Sequence, residues 1–243
     1  MPDLPGFGES TPLRAGVHDI AGYAAWTARF VAAVAPAHGG TAGVVLLGHS
    51  FGSIVASAAV ADGLPVRALV LVTPIAGPAL ARTPREPTTR RGSMRRAMTR
   101  ATVLLHRAAA MLPESVGTAV LRSRLFTRIA SVAMVKTRDR ALRRWIHAEH
   151  DRYFGGFADL RVLLEAFEAS VSHGVDETAA RVTVPTLLVA TELDDITTPA
   201  EQRRLAEVFP HARLETVDGT GHLVHYERPD AVAAAVHRLL DRL

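Results

Sequence analysis

The sequence predicts an α/β fold: a mostly parallel sheet with flanking helices, interrupted by a large inserted helical block. Three observations lead there. Short apolar runs that end at turn signals alternate with stretches of helical period, both before residue 75 and after residue 180. Between them, from Pro74 onward, the pattern changes to proline-punctuated, arginine-rich helical stretches. The charge divides the same way, since residues 82 to 144 hold 16 Arg and Lys against Glu86, Glu114 and Asp139, while the remainder holds 12 basic against 21 acidic residues.

The elements follow in order. Asp19 is placed to cap a helix whose Tyr23, Trp26, Phe30, Val31 and Val34 keep the 3.6-residue period and which ends before Pro36 and Gly39-Gly40. Val44 to Leu47, four apolar residues ending at a glycine, read as a strand buried on both faces. A small-residue helix over 53–61 stops at Gly63, and a second buried strand covers 66–72. The insertion reads as helices over 94–111, 115–135, 138–152 and 158–172. After Pro185 the alternation resumes with a strand from Thr186 to Ala190, a helix from Ala200 to Val208, a strand from Arg213 to Val217 and a helix from Pro229 to Leu240. The expected division is therefore a core of 1–75 and 181–243 around an insertion of 76–180.

Composition bounds the function. At 243 residues, 48% hydrophobic and 21% charged, the chain suits one globular domain with an insertion and a sizeable core. It contains no cysteine, which excludes disulfides, a thiolate nucleophile and cysteine-ligated zinc or iron–sulfur sites. No run of eighteen apolar residues exists and residues 1 to 20 lack a charged-then-apolar leader, so the expectation is no transmembrane segment and a cytoplasmic location. No phosphate-cradling or dinucleotide glycine pattern is present, and no cofactor or metal is implied.

Chemistry gathers at Gly48-His49-Ser50-Phe51-Gly52, where the strand ending at Leu47 hands over to the next helix. A G-x-S-x-G match arises by chance in about one chain in ten of this length, so the strand–turn–helix context carries the argument. A sharp, strained turn lifts the serine hydroxyl clear of the sheet, and the flanking glycines are expected because a Cβ at either would collide with the neighbouring strand or helix. Ser50 is then a nucleophile candidate, and it needs a base and an orienting acid. His222, in Gly219-Thr-Gly-His-Leu-Val-His-Tyr-Glu227, lies just past the last strand; the other ten histidines lack that position or fall on helices, and His49 is expected to shape the turn. The acid should follow the strand at 186–190, where Asp194 and Asp195 stand side by side.

At these residues the sequence resembles the α/β-hydrolase superfamily, in the branch with a helical cap. Asp3 to Ser10 resembles that family's loop after its fourth strand, Gly48 to Gly52 its nucleophile elbow, 184–189 its seventh strand and 219–229 its histidine loop. The order Ser, Asp, His agrees. The resemblance makes Ser50 the nucleophile, His222 the general base and Phe51 N–H one oxyanion donor. The family's G-x-x-D pattern, here Thr191 to Asp194, favours Asp194 as the acid, whereas counting back four residues from Pro199 gives Asp195.

The family's hairpin, third strand and fourth strand have no counterpart before Asp3. The resemblance therefore expects N-terminal strands missing from this sequence, an upstream start rather than Met1, and an apolar sheet edge at 44–47 open to self-association into a homo-oligomer. The family's second oxyanion N–H follows the third strand, and its loss would cost about a thousandfold in rate. His38-Gly39-Gly40 imitates that motif but precedes the elbow strand, so it reads as a loop. The implied activity is a serine hydrolase acting on a small-molecule ester, thioester or related acyl or carbon–carbon bond. The alternative is a catalytically weak pseudoenzyme or binding module whose basic cap docks anionic ligands or surfaces. An acidic substrate suits that basic block too. Aromatic residues are not interleaved with the arginines before Phe126, so nucleic acid is not expected as a partner.

Overall fold

A computed structural model describes residues 2–38, 40–77 and 90–243. The arginines at 82 and 85, Glu86 and Gly39 of the His-Gly-Gly run lie outside the described residues. Contacts within the chain divide into two units, Met1–His18 with Thr83–Phe167 and Asp19–Arg82 with Glu168–Leu243.

The second unit contains the sheet. β1 (Val45–His49), β2 (Ala68–Val72), β3 (Thr186–Thr191) and β4 (Ala212–Val217) lie in that order, and each neighbouring pair is parallel. Parallel neighbours need crossover connections, which the intervening helices supply. The register aligns Leu47, Val70, Leu187 and Arg213 in one row, so all four strands end at a common edge. The pleat sorts the side chains to two faces. Leu69, Leu71 and Leu188 pack with Ala24 and Val31 of α1 (Ile20–Val34), Ile54 and Ala58 of α2 (Phe51–Ala61) and Leu205 of α9 (Pro199–Val208). Val70, Val72, Leu187 and Val189 pack on the other face with Ala235 and Leu239 of α10 (Pro229–Leu240). Burial on both faces explains why β2 and β3 read as continuous apolar runs rather than alternating ones.

β1 departs from that reading. Leu47 is 47% exposed and Val45 and Leu46 are half-buried, because β1 is the end strand of the sheet and, among the described residues, only β2 pairs with it. α1 is capped as its sequence demands, with Asp19 Oδ1 accepting from Gly22 N–H at 2.8 Å. α2 begins at Phe51, two residues before the expected start, because Ser50 alone makes the turn.

The first unit is helical: α3 (Arg90–Ala110), α4 (Glu114–Leu121), α5 (Arg124–Met134), α6 (Arg140–Tyr153) and most of α7 (Leu160–Ser172), whose last turn belongs to the α/β unit and is followed there by the short α8 (Asp176–Ala179). The single helix expected over 115–135 is two. Ser123 is extended and its Oγ accepts from Phe126 N–H at 3.3 Å, which starts α5 afresh. Ala109, Leu121, Phe157 and Leu160 form this unit's core, with Phe7, Leu105 and Phe126 against it. The N-terminal loop joins them through Gly8 N–H to the Gly156 carbonyl and Ala158 N–H to the Gly6 carbonyl, both 2.8 Å. Gly6, at φ +86°, is required there, since a Cβ would meet Val162 Cγ1 at 2.5 Å. His18 is fully buried, its Nε2 accepting from Leu13 N–H at 3.0 Å and its Nδ1–H donating to Glu165 at 2.9 Å. None of the described helices is long and apolar enough to cross a membrane.

Candidate active site

The site lies at the common carboxyl edge of the sheet, where four strand ends each deliver one residue. Ser50 follows β1, Thr73 follows β2, Asp194 lies three residues beyond β3, and His222 lies in the loop after β4. Ser50 Oγ is 2.7 Å from His222 Nε2, and His222 Nδ1 is 3.0 Å from Asp194 Oδ2. The carboxylate can only accept, so Nδ1 carries the proton and Nε2 is the acceptor facing the serine hydroxyl. Asp194 and His222 are buried, whereas Ser50 is only half-buried.

The backbone at two of these strand ends is strained. Ser50 has φ +52° and Thr73 φ +42°, a region that side chains rarely adopt and that persists only where surroundings enforce it. At Ser50 the enforcement is visible: its N–H donates to the Val72 carbonyl at 3.2 Å, and its own carbonyl accepts from Ser53 N–H at 2.8 Å and Ser53 Oγ at 2.5 Å. The expectation for the two glycines holds at only one of them. A Cβ on Gly48 would meet the Gly52 carbonyl carbon at 2.7 Å and Ser53 Cα at 2.9 Å, whereas one on Gly52 would meet nothing within 4 Å, because that side of the first turn of α2 faces open space. Gly48→Ala is therefore expected to lower the unfolding midpoint sharply, by about 1–3 kcal/mol of stability or more. Gly52→Ala should melt like the parent, and thermal denaturation of the two variants side by side checks the contrast.

Asp194 is the acid that turns inward. Its Oδ1 accepts from Ile196 N–H at 2.7 Å and Thr197 N–H at 3.3 Å, and its Oδ2 takes His222 and, at 3.4 Å, Gln202 Nε2. Asp195, beside it, is half-buried. Gln202 is itself fully buried and tied to the Thr197 carbonyl at 2.8 Å. No spacing in the sequence marks Gln202. Thr73 is also unanticipated, although its position one residue past a strand end is the same signal that marks Ser50.

The imidazole loop is held from three sides. His49 Nε2–H donates to the His222 carbonyl at 3.0 Å, and the Thr73 hydroxyl donates to the same oxygen at 3.3 Å. The buried Glu227 accepts from Gly221 N–H at 3.4 Å, and Glu192 accepts from Gly219 N–H at 2.9 Å, which joins the acid loop to the histidine loop. His49 thus does more than shape the turn. Its ring also lies 4.1 Å from that of His225 and 5.2 Å from that of His222.

Burial, with His225 and His222 beside it, holds His49 well below the ordinary value of 6.5. Burial lowers His106, His147 and His150 as well. The unfolded chain therefore binds protons that the folded chain does not, so stability is full above about pH 6.5 and is lost as the pH falls below it. Urea unfolding at about pH 7.5 and 5.5 should show the lower midpoint at the lower pH, and His49→Gln should narrow the gap. Equal midpoints for the parent would contradict this account. Among the described residues, no three histidine, aspartate or glutamate side chains gather as a metal site.

The sequence profile of the Alpha/beta hydrolase family matches residues 1–235. The chain belongs to the alpha/beta hydrolase family. This alpha/beta hydrolase is 32% identical over 82 residues to a Haemophilus influenzae protein named as a candidate esterase/lipase. That match takes in 34% of this chain and 29% of the relative, so the chain aligns with less than a third of it. Solved structures match over nearly the whole alpha/beta hydrolase chain. A hydrolase from Oleispira antarctica superposes at a TM-score of 0.70, with 16% identity, over 98% of this chain and 79% of its own. A thermophilic esterase from Thermogutta terrifontis does so at 0.66 with 21% identity, over 99% and 78%. The enol-lactonase from Burkholderia xenovorans does so at 0.67 with 18% identity, over 98% and 79%. At these identities the likeness establishes the fold, and a fold hosts many reactions.

Proposed function

We propose that this alpha/beta hydrolase is a serine hydrolase that cleaves a small-molecule ester, thioester or related acyl or carbon–carbon bond. The observation that supports it is the chain of contacts from Ser50 Oγ through His222 to Asp194, at 2.7 and 3.0 Å. Ser50 Oγ attacks the acyl carbon while His222 Nε2 takes its proton. The tetrahedral intermediate collapses, and the same proton passes to the leaving oxygen or sulfur. Water, deprotonated by His222, then attacks the acyl carbon, the bond to Oγ breaks, and His222 returns the proton to Ser50. Asp194 keeps the proton on Nδ1 and stabilises the imidazolium that forms.

Phe51 N–H, at the amino end of the eleven-residue α2, is the oxyanion donor in this reading, aided by the positive end of the helix dipole. The ester and lactone chemistry named for the relatives supports starting with oxygen esters. The reading is tested by trapping its intermediate. Protein quenched during turnover of p-nitrophenyl acetate should carry one acetyl group, and peptide mapping should place it on Ser50. Turnover with no adduct, or with the acetyl group on another residue, would contradict the proposal.

A further inference from the structure

We propose that the helical unit docks on an anionic lipid surface through the outer face of α5. This inference is independent of the hydrolase reading, because no residue of the candidate active site enters it.

α5 is packed inside out. Thr127 and Ser131, four residues apart, are buried, and Ser131 Oγ lies 2.6 Å from Nδ1 of the buried His147 on α6. Leu125, Ile129 and Val132, spaced four and three apart, form a stripe on the opposite side and are 72%, 58% and 60% exposed. A helix that had only to be solvated would present these faces the other way round. The reversal has a local cause, since the buried hydroxyl of Ser131 is satisfied by His147, and it leaves an apolar stripe that nothing among the described residues covers. Within the same unit, Leu104, Met111 and Trp145 are exposed as well.

The charge beside that stripe decides the partner. Arg124 and Arg128, both exposed, stand on α5 itself, and residues 122 to 153, which span α5 and α6, carry eight arginines and Lys136 against Asp139, Glu149 and Asp151. Arg128 gives part of its charge to Asp151, and the net balance of the stretch remains strongly positive. An exposed apolar stripe edged by arginines is the composition of a surface that lies in the headgroup layer. Its aliphatic side chains enter the acyl boundary, and its guanidinium groups meet lipid phosphates. Nucleic acid would satisfy the arginines and leave Leu125, Ile129 and Val132 in water, and an acidic protein would need an apolar patch set among its carboxylates to cover them. A second copy of the chain would cover the apolar stripe by bringing two strongly basic surfaces together.

The test uses vesicles of equal parts phosphatidylglycerol and phosphatidylcholine, with phosphatidylcholine alone as the control. The chain has no cysteine, so Ile129→Cys provides a single site for an environment-sensitive fluorophore, and Asp62→Cys, exposed in the α/β unit, serves as its control. The expected result is a blue shift at residue 129, none at residue 62, only with the anionic vesicles and reduced by salt. Replacing Leu125, Ile129 and Val132 together by serine should lower the partition into those vesicles about tenfold or more. Ile129→Glu alone makes the same test should the triple variant melt early. The proposal is overturned by absence of partition, or by serine and glutamate variants that partition as well as the parent. A label already buried without vesicles overturns it too, since the stripe is then covered by a second copy or by the chain itself.

Discussion

Asp194→Asn is expected to lower turnover of an activated ester by about 10⁴-fold while Asp195→Asn leaves it within about threefold. The first substitution keeps the shape of the residue and removes the acceptor that fixes the His222 tautomer. With an amide at 194 the ring is free to place its proton on Nε2, where it faces Ser50 as a donor and cannot take the hydroxyl proton. The remaining contacts would keep the loop in place, since Ile196 and Thr197 donate to the Oδ1 side and an asparagine oxygen can accept both. The loss should therefore fall on kcat with little change in KM or melting temperature. Comparable losses in the two variants would mean that the acid is shared between them, and a loss confined to Asp195→Asn would reverse the assignment.

Ser50→Ala is expected to abolish turnover, by about 10⁴-fold or more, without unfolding the protein. The strained φ of +52° is enforced by main-chain hydrogen bonds that alanine retains, so the elbow should persist and stability should change little. Activity measured alongside circular dichroism separates loss of the nucleophile from loss of the fold. His222→Ala should match it in effect, and the double variant should be no worse than either single one, because the two groups act as one unit. Additive losses would show that Ser50 and His222 contribute to different steps.

Much of this was legible in the sequence, and the reason is geometric. Val44 to Leu47, 66–72 and 186–190 have side chains suited to a buried parallel sheet, and they form β1, β2 and β3 within two residues of those bounds. The rule that residues just past a strand's carboxyl end share one edge points, in the sequence, to Ser50, to the pair Asp194 and Asp195, and to His222. It could not separate Asp194 from Asp195, because both sit on the same turn. Which one turns inward depends on the N–H groups of Ile196 and Thr197, which both point at Asp194 Oδ1.

What stayed hidden depends on partners distant in sequence. Gln202 and Thr73 matter through Asp194 and the His222 carbonyl, and neither contact leaves a periodic mark. The break at Ser123 was masked because the apolar positions on either side of it are compatible with one continuous helix. The reversed packing of α5 was masked for a related reason. Thr127 and Ser131 face inward only because His147, sixteen residues past Ser131, supplies a buried partner. Leu47, which the four-residue apolar run alone reads as buried, is exposed because β1 lies at the end of the sheet, in line with the open apolar edge at 44–47 expected from the resemblance.

The central claim is that His222 activates Ser50, and labelling with a fluorophosphonate tests it most directly, because the probe needs an activated serine and little else in the way of substrate fit. The account predicts one equivalent of probe per chain, located on Ser50 and lost in both Ser50→Ala and His222→Ala. An unlabelled but folded parent chain, or labelling that survives either substitution, would contradict it.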